Sequence, residues 1–152
     1  MRNYIRNKVL VFLMLFVSIS ASAQQTAIPD SNFEQALIDY GYDSGTPDGF
    51  VLTETIETVT TLHLTDNNIT DITGIEDFIA LTNLTLSSNN LDSISLPQNT
   101  ALTVLSCANC QLTNLDVTSN INLERLVVAN NQLTSLDLSQ NPALVYLNAF
   151  DS

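Results

Sequence analysis

The apolar residues from position 62 onward repeat with a period of 21 or 22 residues. Each repeat carries a leucine at the same place, and these leucines are Leu62, Leu84, Leu105, Leu126 and Leu147. A second small or apolar residue follows each leucine two positions later, which is the alternation of a short β-strand with one buried face. A unit this short cannot enclose a core alone, so the pattern predicts stacked turns that share one continuous core.

Other positions repeat with the same period. The second half of each unit carries apolar residues at Ile72, Ile94, Leu115 and Leu136, then at Leu96, Val117 and Leu138, and asparagines at Asn99, Asn120 and Asn141. The position that follows each predicted strand is occupied by Asn67, Asn89, Cys110 and Asn131. We expect these last four side chains to point inward as a ladder that satisfies backbone groups of neighbouring turns.

Residues 24–58 do not fit the repeat and are predicted to form an N-terminal cap. Ser31 and Glu34 have the spacing of a capping box, and Gly41 is placed to end the helix that follows. The helical face expected to cover the first repeat consists of Phe33, Ala36, Leu37 and Tyr40. A strand over 53–59 is expected to lead into the repeats, which occupy residues 59–152.

The first 23 residues have the pattern of a signal peptide. Three basic residues precede an apolar run over 9–19, and small residues at 21–23 provide a cleavage site. The run is short for a membrane span, which makes a retained anchor the weaker alternative. We therefore expect a secreted or cell-surface protein with no membrane insertion after cleavage.

Removal of that segment leaves a strongly acidic chain. All sixteen acidic residues lie beyond position 23, against Arg125 as the one Lys or Arg, so the net charge becomes −15. Such a charge repels phosphate backbones and anionic lipid surfaces. Nucleic acids and membrane surfaces are therefore excluded as expected partners, whereas basic proteins and neutral sugars remain compatible.

The repeat pattern resembles that of leucine-rich repeats, from Val59 to the end of the chain. The segment NITDITGIEDFIALTNL at 68–84 is similar to internalin-type repeats, and the later LTSLDLSQN units are similar to the 21-residue repeats of bacterial surface and secreted proteins. The resemblance implies an α/β-type repeat solenoid, which is a curved array with a parallel sheet on its concave side. The chain stops inside the fifth repeat, so we expect it to be the N-terminal part of a longer protein.

The motif Cys107-x-x-Cys110 invites a redox or metal interpretation, but the repeat register favours another one. Cys107 takes an inward strand position and Cys110 takes the ladder position, where a thiol acts as a small apolar side chain. We therefore predict that both cysteines are buried structural thiols. A strained disulfide is the alternative in an oxidising compartment.

Neither a catalytic site nor a metal site can be recognised. His63 is the only histidine and is expected on the concave face, where Asp66, Thr65 and Thr85 are its nearest candidate neighbours. The acidic residues of the Asp39–Asp48 loop lack the ligand spacing of an EF-hand, so we interpret them as turn formers rather than a calcium site. We expect no enzyme, no metal and no cofactor.

The outward strand positions form the candidate ligand surface. The residues selected on this face are His63, Thr85, Val104, Ser106, Arg125, Val127, Tyr146, Asn148 and Phe150. Toward the C-terminus the face becomes apolar and aromatic around Arg125, and aromatic residues and arginine often dominate interfaces. The expected function is an extracellular module that binds a protein or carbohydrate. The alternative is a structural spacer or cell-envelope scaffold.

Overall fold

The computed structural model describes residues 23–150, and the predicted signal peptide lies outside this range apart from Ala23. In chain order, the strands and helices are β1 (Gln25–Ala27), α1 (Ser31–Asp39), β2 (Phe50–Leu52), α2 (Thr53–Ile56), β3 (Thr61–His63), a 3-10 helix (Ile75–Asp77), β4 (Asn83–Thr85), β5 (Ser93–Ser95), β6 (Val104–Ser106), β7 (Asn114–Asp116), β8 (Arg125–Val127) and β9 (Tyr146–Asn148).

Five of these strands form one parallel sheet in the order β3-β4-β6-β8-β9. The repeating leucines are aligned across it, from Leu62 beside Leu84 to Leu126 beside Leu147. Each step along the sheet is therefore one repeat, which confirms the predicted parallel-sheet solenoid. The central side chains point inward: Leu84, Leu105 and Leu126 are fully buried.

The second half of the repeats forms another, smaller parallel sheet that the sequence analysis did not predict. It pairs β5 with β7, and Ile94 lies beside Leu115 with both side chains buried. The first repeat has the 3-10 helix in this part of its turn instead of a strand. Two sheets therefore enclose the core, which also contains Phe33 stacked on Phe78 at 6.2 Å between ring centroids. Burial stabilises the fold by roughly 1.5–3 kcal/mol per leucine or isoleucine side chain, so this shared apolar core is the main source of stability.

An asparagine side chain joins neighbouring turns at the end of the main strands. The amide nitrogen of Asn89 donates to the carbonyls of Leu64 and Leu86, at 2.6 and 2.7 Å. Asn131 repeats this arrangement two turns later with the carbonyls of Cys107 and Val128. Both asparagines are buried, so the carbonyls they reach have little access to water.

The oxygen of each ladder asparagine shapes the backbone of the preceding turn. Asn89 Oδ1 accepts from the backbone N–H groups of Asn67 and Ile69, which flank Asn68. Two N–H groups converge on one oxygen when the residue between them is left-handed, and Asn68 has φ 56°. Gln111, with φ 66°, stands between the two N–H groups that reach Asn131.

Cys110 occupies a ladder position but cannot reproduce these contacts. Its thiol donates to the Leu86 carbonyl at 3.1 Å and lacks a carboxamide oxygen. The N–H of Leu91 donates instead to the backbone carbonyl of Cys110, and the backbone of Asn90 is not in the left-handed conformation. Asn67, at the N-terminal end of the ladder, is half-buried. With its amide nitrogen turned inward, Asn67 donates to Leu64 and Thr65 of its own turn.

A second asparagine ladder lies at the other side of the solenoid. Asn120 donates to the carbonyls of Leu96 and Asn99, and Asn141 donates to those of Val117 and Asn120. Asn99 makes the same pair of bonds one turn earlier. The three side-chain oxygens are buried without a hydrogen-bond partner, so this ladder acts through its donors alone.

Helix α1 begins differently from the prediction, because Asp30 is its N-cap. Asp30 Oδ1 accepts from the N–H groups of Asn32 and Phe33. The predicted capping box of Ser31 and Glu34 is therefore wrong. Glu34 is buried and accepts instead from the N–H groups of residues 48 and 49, which holds the Asp39–Asp48 loop against the helix.

Asp30 also fastens the cap to the first repeat. Its second oxygen accepts from the N–H and hydroxyl of Thr70 and from the N–H of Asp71. Burial alone raises the pKa of this carboxyl, but the hydrogen bonds from Thr70, Phe33 and Asp71 outweigh it and hold the pKa below its ordinary value. Gly74 has φ 98°, and a Cβ there would lie 2.3 Å from the side chain of Ile28 and 2.6 Å from the Ala27 carbonyl. The cap and repeat therefore meet closely.

Of the other expectations for the cap, one is confirmed and two are wrong. Gly41 ends the helix with φ 77°: its N–H donates to the Ile38 carbonyl, and the N–H of Tyr42 donates to the Leu37 carbonyl. Tyr40, however, is half exposed and does not belong to the buried face. The strand predicted over 53–59 is also wrong, because β2 ends before it and pairs antiparallel with β1. Residues 53–56 form the short helix α2.

We predict that Asn89→Ala lowers the free energy of unfolding by about 2–4 kcal/mol, because it leaves buried backbone groups on two turns unpaired. Urea unfolding monitored by circular dichroism measures the change. The exposed neighbour substitution Asn90→Ala is the matched control and is expected to change stability by less than about 0.5 kcal/mol. Equal effects of the two substitutions would contradict the assigned role.

Cys110→Asn is predicted to raise the free energy of unfolding by about 1 kcal/mol. The new carboxamide would accept from the N–H groups on both sides of Asn90, a residue type that tolerates a left-handed backbone. Cys110→Ala, which removes the thiol without adding these bonds, is the comparison. A Cys110→Asn protein no more stable than Cys110→Ala would rule out this account.

The role of Asp30 predicts a specific pH dependence. Its folded-state pKa is lowered, so its stabilisation is complete above the unfolded value of about 3.9 and is lost as pH falls through the folded value. Asp30→Asn should cost about 1–3 kcal/mol at pH 7, because its amide would face donors, and this cost should shrink below about pH 4. Unfolding of both proteins between pH 7 and 2 tests the convergence, with Asp43→Asn as a charge-matched control. A loss of free energy of unfolding in Asp30→Asn that does not change with pH would contradict this role of the Asp30 carboxylate.

Candidate interaction surface

The outward side chains of the main sheet form three columns that run across the repeats. We define the concave face as Thr61, Asn83, Val104, Arg125 and Tyr146; His63, Thr85, Ser106, Val127 and Asn148; and Thr65, Ser87, Ala108, Ala129 and Phe150. The first two columns follow the strand register, and the third continues it just beyond the strands. Every ligand-surface residue predicted from the sequence is brought together on this face.

The concave face is free of carboxylates, although fifteen acidic residues lie within the described part of the chain. Its basic members are Arg125 and His63. On the other side of the solenoid, Asp116 at the end of β7 and Asp137 one repeat later accept hydrogen bonds from Thr118 and Ser139, which hold the pKa of each carboxyl below its ordinary value. None of the fifteen carboxylates of the described residues therefore occupies a position of the concave face.

The N-terminal half of the concave face is small and polar. His63 Nδ1 lies 3.1 Å from the hydroxyl of Thr85, and the hydroxyls of Ser87 and Ser106 are 3.0 Å apart. A serine or threonine nucleophile would require a base oriented by a third group. The ring contact of His63 is a threonine hydroxyl, which suits a hydrogen-bonding surface.

The C-terminal half is apolar and aromatic around one cation. The guanidinium carbon of Arg125 lies 3.9 Å from the ring centroid of Tyr146, a cation–π contact. Tyr146 is 42% exposed and Phe150 is 77% exposed, whereas Val104 and Val127 are half-buried between them and the polar half. The side chain of Asn148 accepts from the N–H of Phe150 at 3.4 Å. This arrangement presents a broad apolar surface beside a positive charge.

Tyr40 also borders the concave face, although its place in the sequence predicted a buried position. Its hydroxyl donates to the backbone carbonyl of His63 at 2.7 Å, and its ring lies 6.1 Å from that of Tyr42. Helical periodicity placed Tyr40 in the buried stripe, so no sequence signal indicated its position. Aromatic rings therefore stand at both ends of the face, and the four strand spacings between β3 and β9 amount to roughly 19 Å.

The other predicted candidate groups lie away from this face. Cys107 and Cys110 are buried and not bonded to each other. Burial raises the pKa of both thiols, so neither is primed to react as a thiolate. In the Asp39–Asp48 loop, Asp39 accepts from Gln35 and Asp48 accepts from the N–H of Phe50. Within residues 23–150, no three His, Cys, Asp or Glu side chains are grouped so as to hold a metal ion.

Solved structures of internalins resemble this chain. The functional domain of InlJ from Listeria monocytogenes, which includes a cysteine ladder, matches with 40% identity and a TM-score of 0.77 over 85% of this chain. Internalin InlF and internalin C2 from Listeria monocytogenes strain 4b F2365 match over 82% of the chain, with identities of 22% and 23% and TM-scores of 0.58 and 0.57. The last two support the fold alone.

These structures are matched over most of this chain but over only part of their own length. The chain spans 29% of the InlJ domain, 44% of InlF and 68% of internalin C2. No protein-family model and no curated protein matches it. Among the described residues, no helix is both long enough and apolar enough to span a membrane.

Proposed function

We propose that this internalin-like leucine-rich-repeat solenoid is a binding module for a protein ligand, which contacts the concave face. The observation that carries the proposal is the exposed surface of Arg125, Tyr146 and Phe150, in which Arg125 and Tyr146 are register partners on adjacent strands. Aromatic rings and arginine supply large contact areas at low entropic cost, and they are the residue types enriched at binding hot spots. The similarity to InlJ supports a binding role in general.

We further propose that this module acts outside the cell, as a secreted protein or on the cell surface. The signal-peptide pattern of residues 1–23 and the likeness to internalins support that location. Because the chain spans less than a third of the InlJ domain, the proposal concerns the repeats of this chain and not the activity of a longer protein.

Binding is preferred to catalysis because the potentially reactive groups are not arranged for it. The thiols are buried, and the ring of His63 contacts a threonine hydroxyl. A structural spacer is the competing function, and it would need no exposed aromatic cluster on a carboxylate-free face. The two functions therefore predict different results when that cluster is removed.

We predict that Tyr146→Ser combined with Phe150→Ser weakens binding to a protein ligand at least tenfold, because the exposed aromatic area is lost. The test is a panel of purified extracellular proteins and a glycan array, probed with residues 24–152 and followed by biosensor titration of each saturable partner. Phe150 is 77% exposed and Tyr146 is 42% exposed, so the free energy of unfolding should fall by no more than about 1 kcal/mol.

The matched control is Ile79→Ser combined with Ile121→Ser. These isoleucines are 58% and 54% exposed and lie outside the concave face, so their loss removes exposed apolar surface without altering the proposed site. Binding retained by the Tyr146 and Phe150 variant but lost by the Ile79 and Ile121 variant would refute the location. The absence of any saturable protein partner would favour the spacer.

A further inference from the structure

Arg125 occupies an unusual electrostatic position. It is the one Lys or Arg among residues 23–150, which carry fifteen acidic side chains. Within that range its guanidinium makes no ion pair with a carboxylate, and its identified contact is the ring of Tyr146. In a chain with so many carboxylates, a single cation placed on the carboxylate-free face is left available to an external anion.

The contact with Tyr146 prepares the guanidinium for such a ligand. A guanidinium over a ring uses its planar face, and its N–H donors point outward in the plane of the group. Those donors match the two oxygens of a carboxylate in a bidentate arrangement. Arg125 and Tyr146 are also register partners on adjacent strands, so the backbone of the sheet positions the pair.

The outward positions that follow Arg125 and Tyr146 along the strand direction indicate what accompanies the carboxylate, and they extend over roughly 13 Å to Phe150. Phe150 is highly exposed, Val127 is half-buried, and Asn148 is half-buried in register beside Val127. This surface fits an apolar side chain better than a second charge. The surrounding negative charge of the chain also repels a highly acidic partner at a range of about 8–10 Å.

We propose that the ligand of the concave face is a protein segment that places one Asp or Glu carboxylate on Arg125 and an apolar side chain, two to four residues away, on Val127 and Phe150, within a partner that is not itself strongly acidic. This inference rests on the proposed function and specifies its partner. Arg125 acts as the selectivity residue, because it is the one Lys or Arg among residues 23–150 with which an acidic side chain can pair.

The test uses random heptapeptides displayed on phage, selected against residues 24–152. We expect the selected peptides that lose binding to the Tyr146→Ser, Phe150→Ser variant to be enriched in a single Asp or Glu that lies about two to four positions from an apolar residue. Replacing that acid by its amide in the synthetic peptide should weaken binding roughly threefold to tenfold, and Arg125→Gln should do the same.

A double-mutant cycle distinguishes a direct pair from a structural effect. The peptide amide substitution should have little further effect on the Arg125→Gln protein, and Arg125→Lys should retain part of the affinity. Arg125→Glu should invert the preference toward a peptide with lysine at the acidic position. Because Arg125 is exposed, urea unfolding of these variants should match that of the wild type.

The possible failures are distinguishable. Peptides that depend on Tyr146 and Phe150 but show no acidic enrichment, or bind Arg125→Gln unchanged, overturn the inference and leave the proposed function standing. A selection that yields no peptide dependent on the concave face overturns the inference together with the proposed function. Additive effects in the double-mutant cycle overturn the direct pairing of Arg125 with the carboxylate.

Discussion

The inward hydrogen bonds of each turn are the constraint on which the solenoid depends. A repeat of about 21 residues turns sharply around its core, and those turns leave backbone groups that neither sheet can pair. Asn89 and Asn131 pair them by bridging to the preceding turn, with amide and oxygen both used. Neighbouring turns are therefore held together by hydrogen bonds as well as by apolar contacts. The ladder residue of one turn also influences the backbone conformation of the turn before it.

Cys110 shows how sensitive this coupling is. A sulfur in the same place keeps one bond to a carbonyl but cannot gather two N–H groups, and the neighbouring backbone adopts another conformation. In the cap, backbone N–H groups are paired by carboxylates instead of carboxamides. Asp30 and Glu34 are buried carboxylates whose oxygens are occupied by N–H or hydroxyl donors, and together they join the helix, the following loop and the first repeat.

This stacking is also what makes the concave face suitable for recognition. In-register strands hold Arg125 and Tyr146 side by side, and they separate the aromatic ends of the face by a fixed distance. Since the carboxylates lie elsewhere, the cation is not neutralised by its own chain within the described residues. A surface with these properties can select a partner by one charge and a nearby apolar contact, without a deep pocket.

The sequence alone determined the repeat length, the inward leucines and the set of outward residues, because a strand of period two leaves no choice of face once its core leucines are known. It did not determine how the cap begins or where its strand lies. Ser31 and Asp30 are both suitable N-caps, and tertiary contacts with Thr70 and Asp71 favour Asp30. Likewise, the packing of Tyr40 beside His63 and of Arg125 on Tyr146 joins residues distant in sequence. Only the stacked turns bring such groups together, because the side-chain contacts depend on register between repeats and not on local propensity.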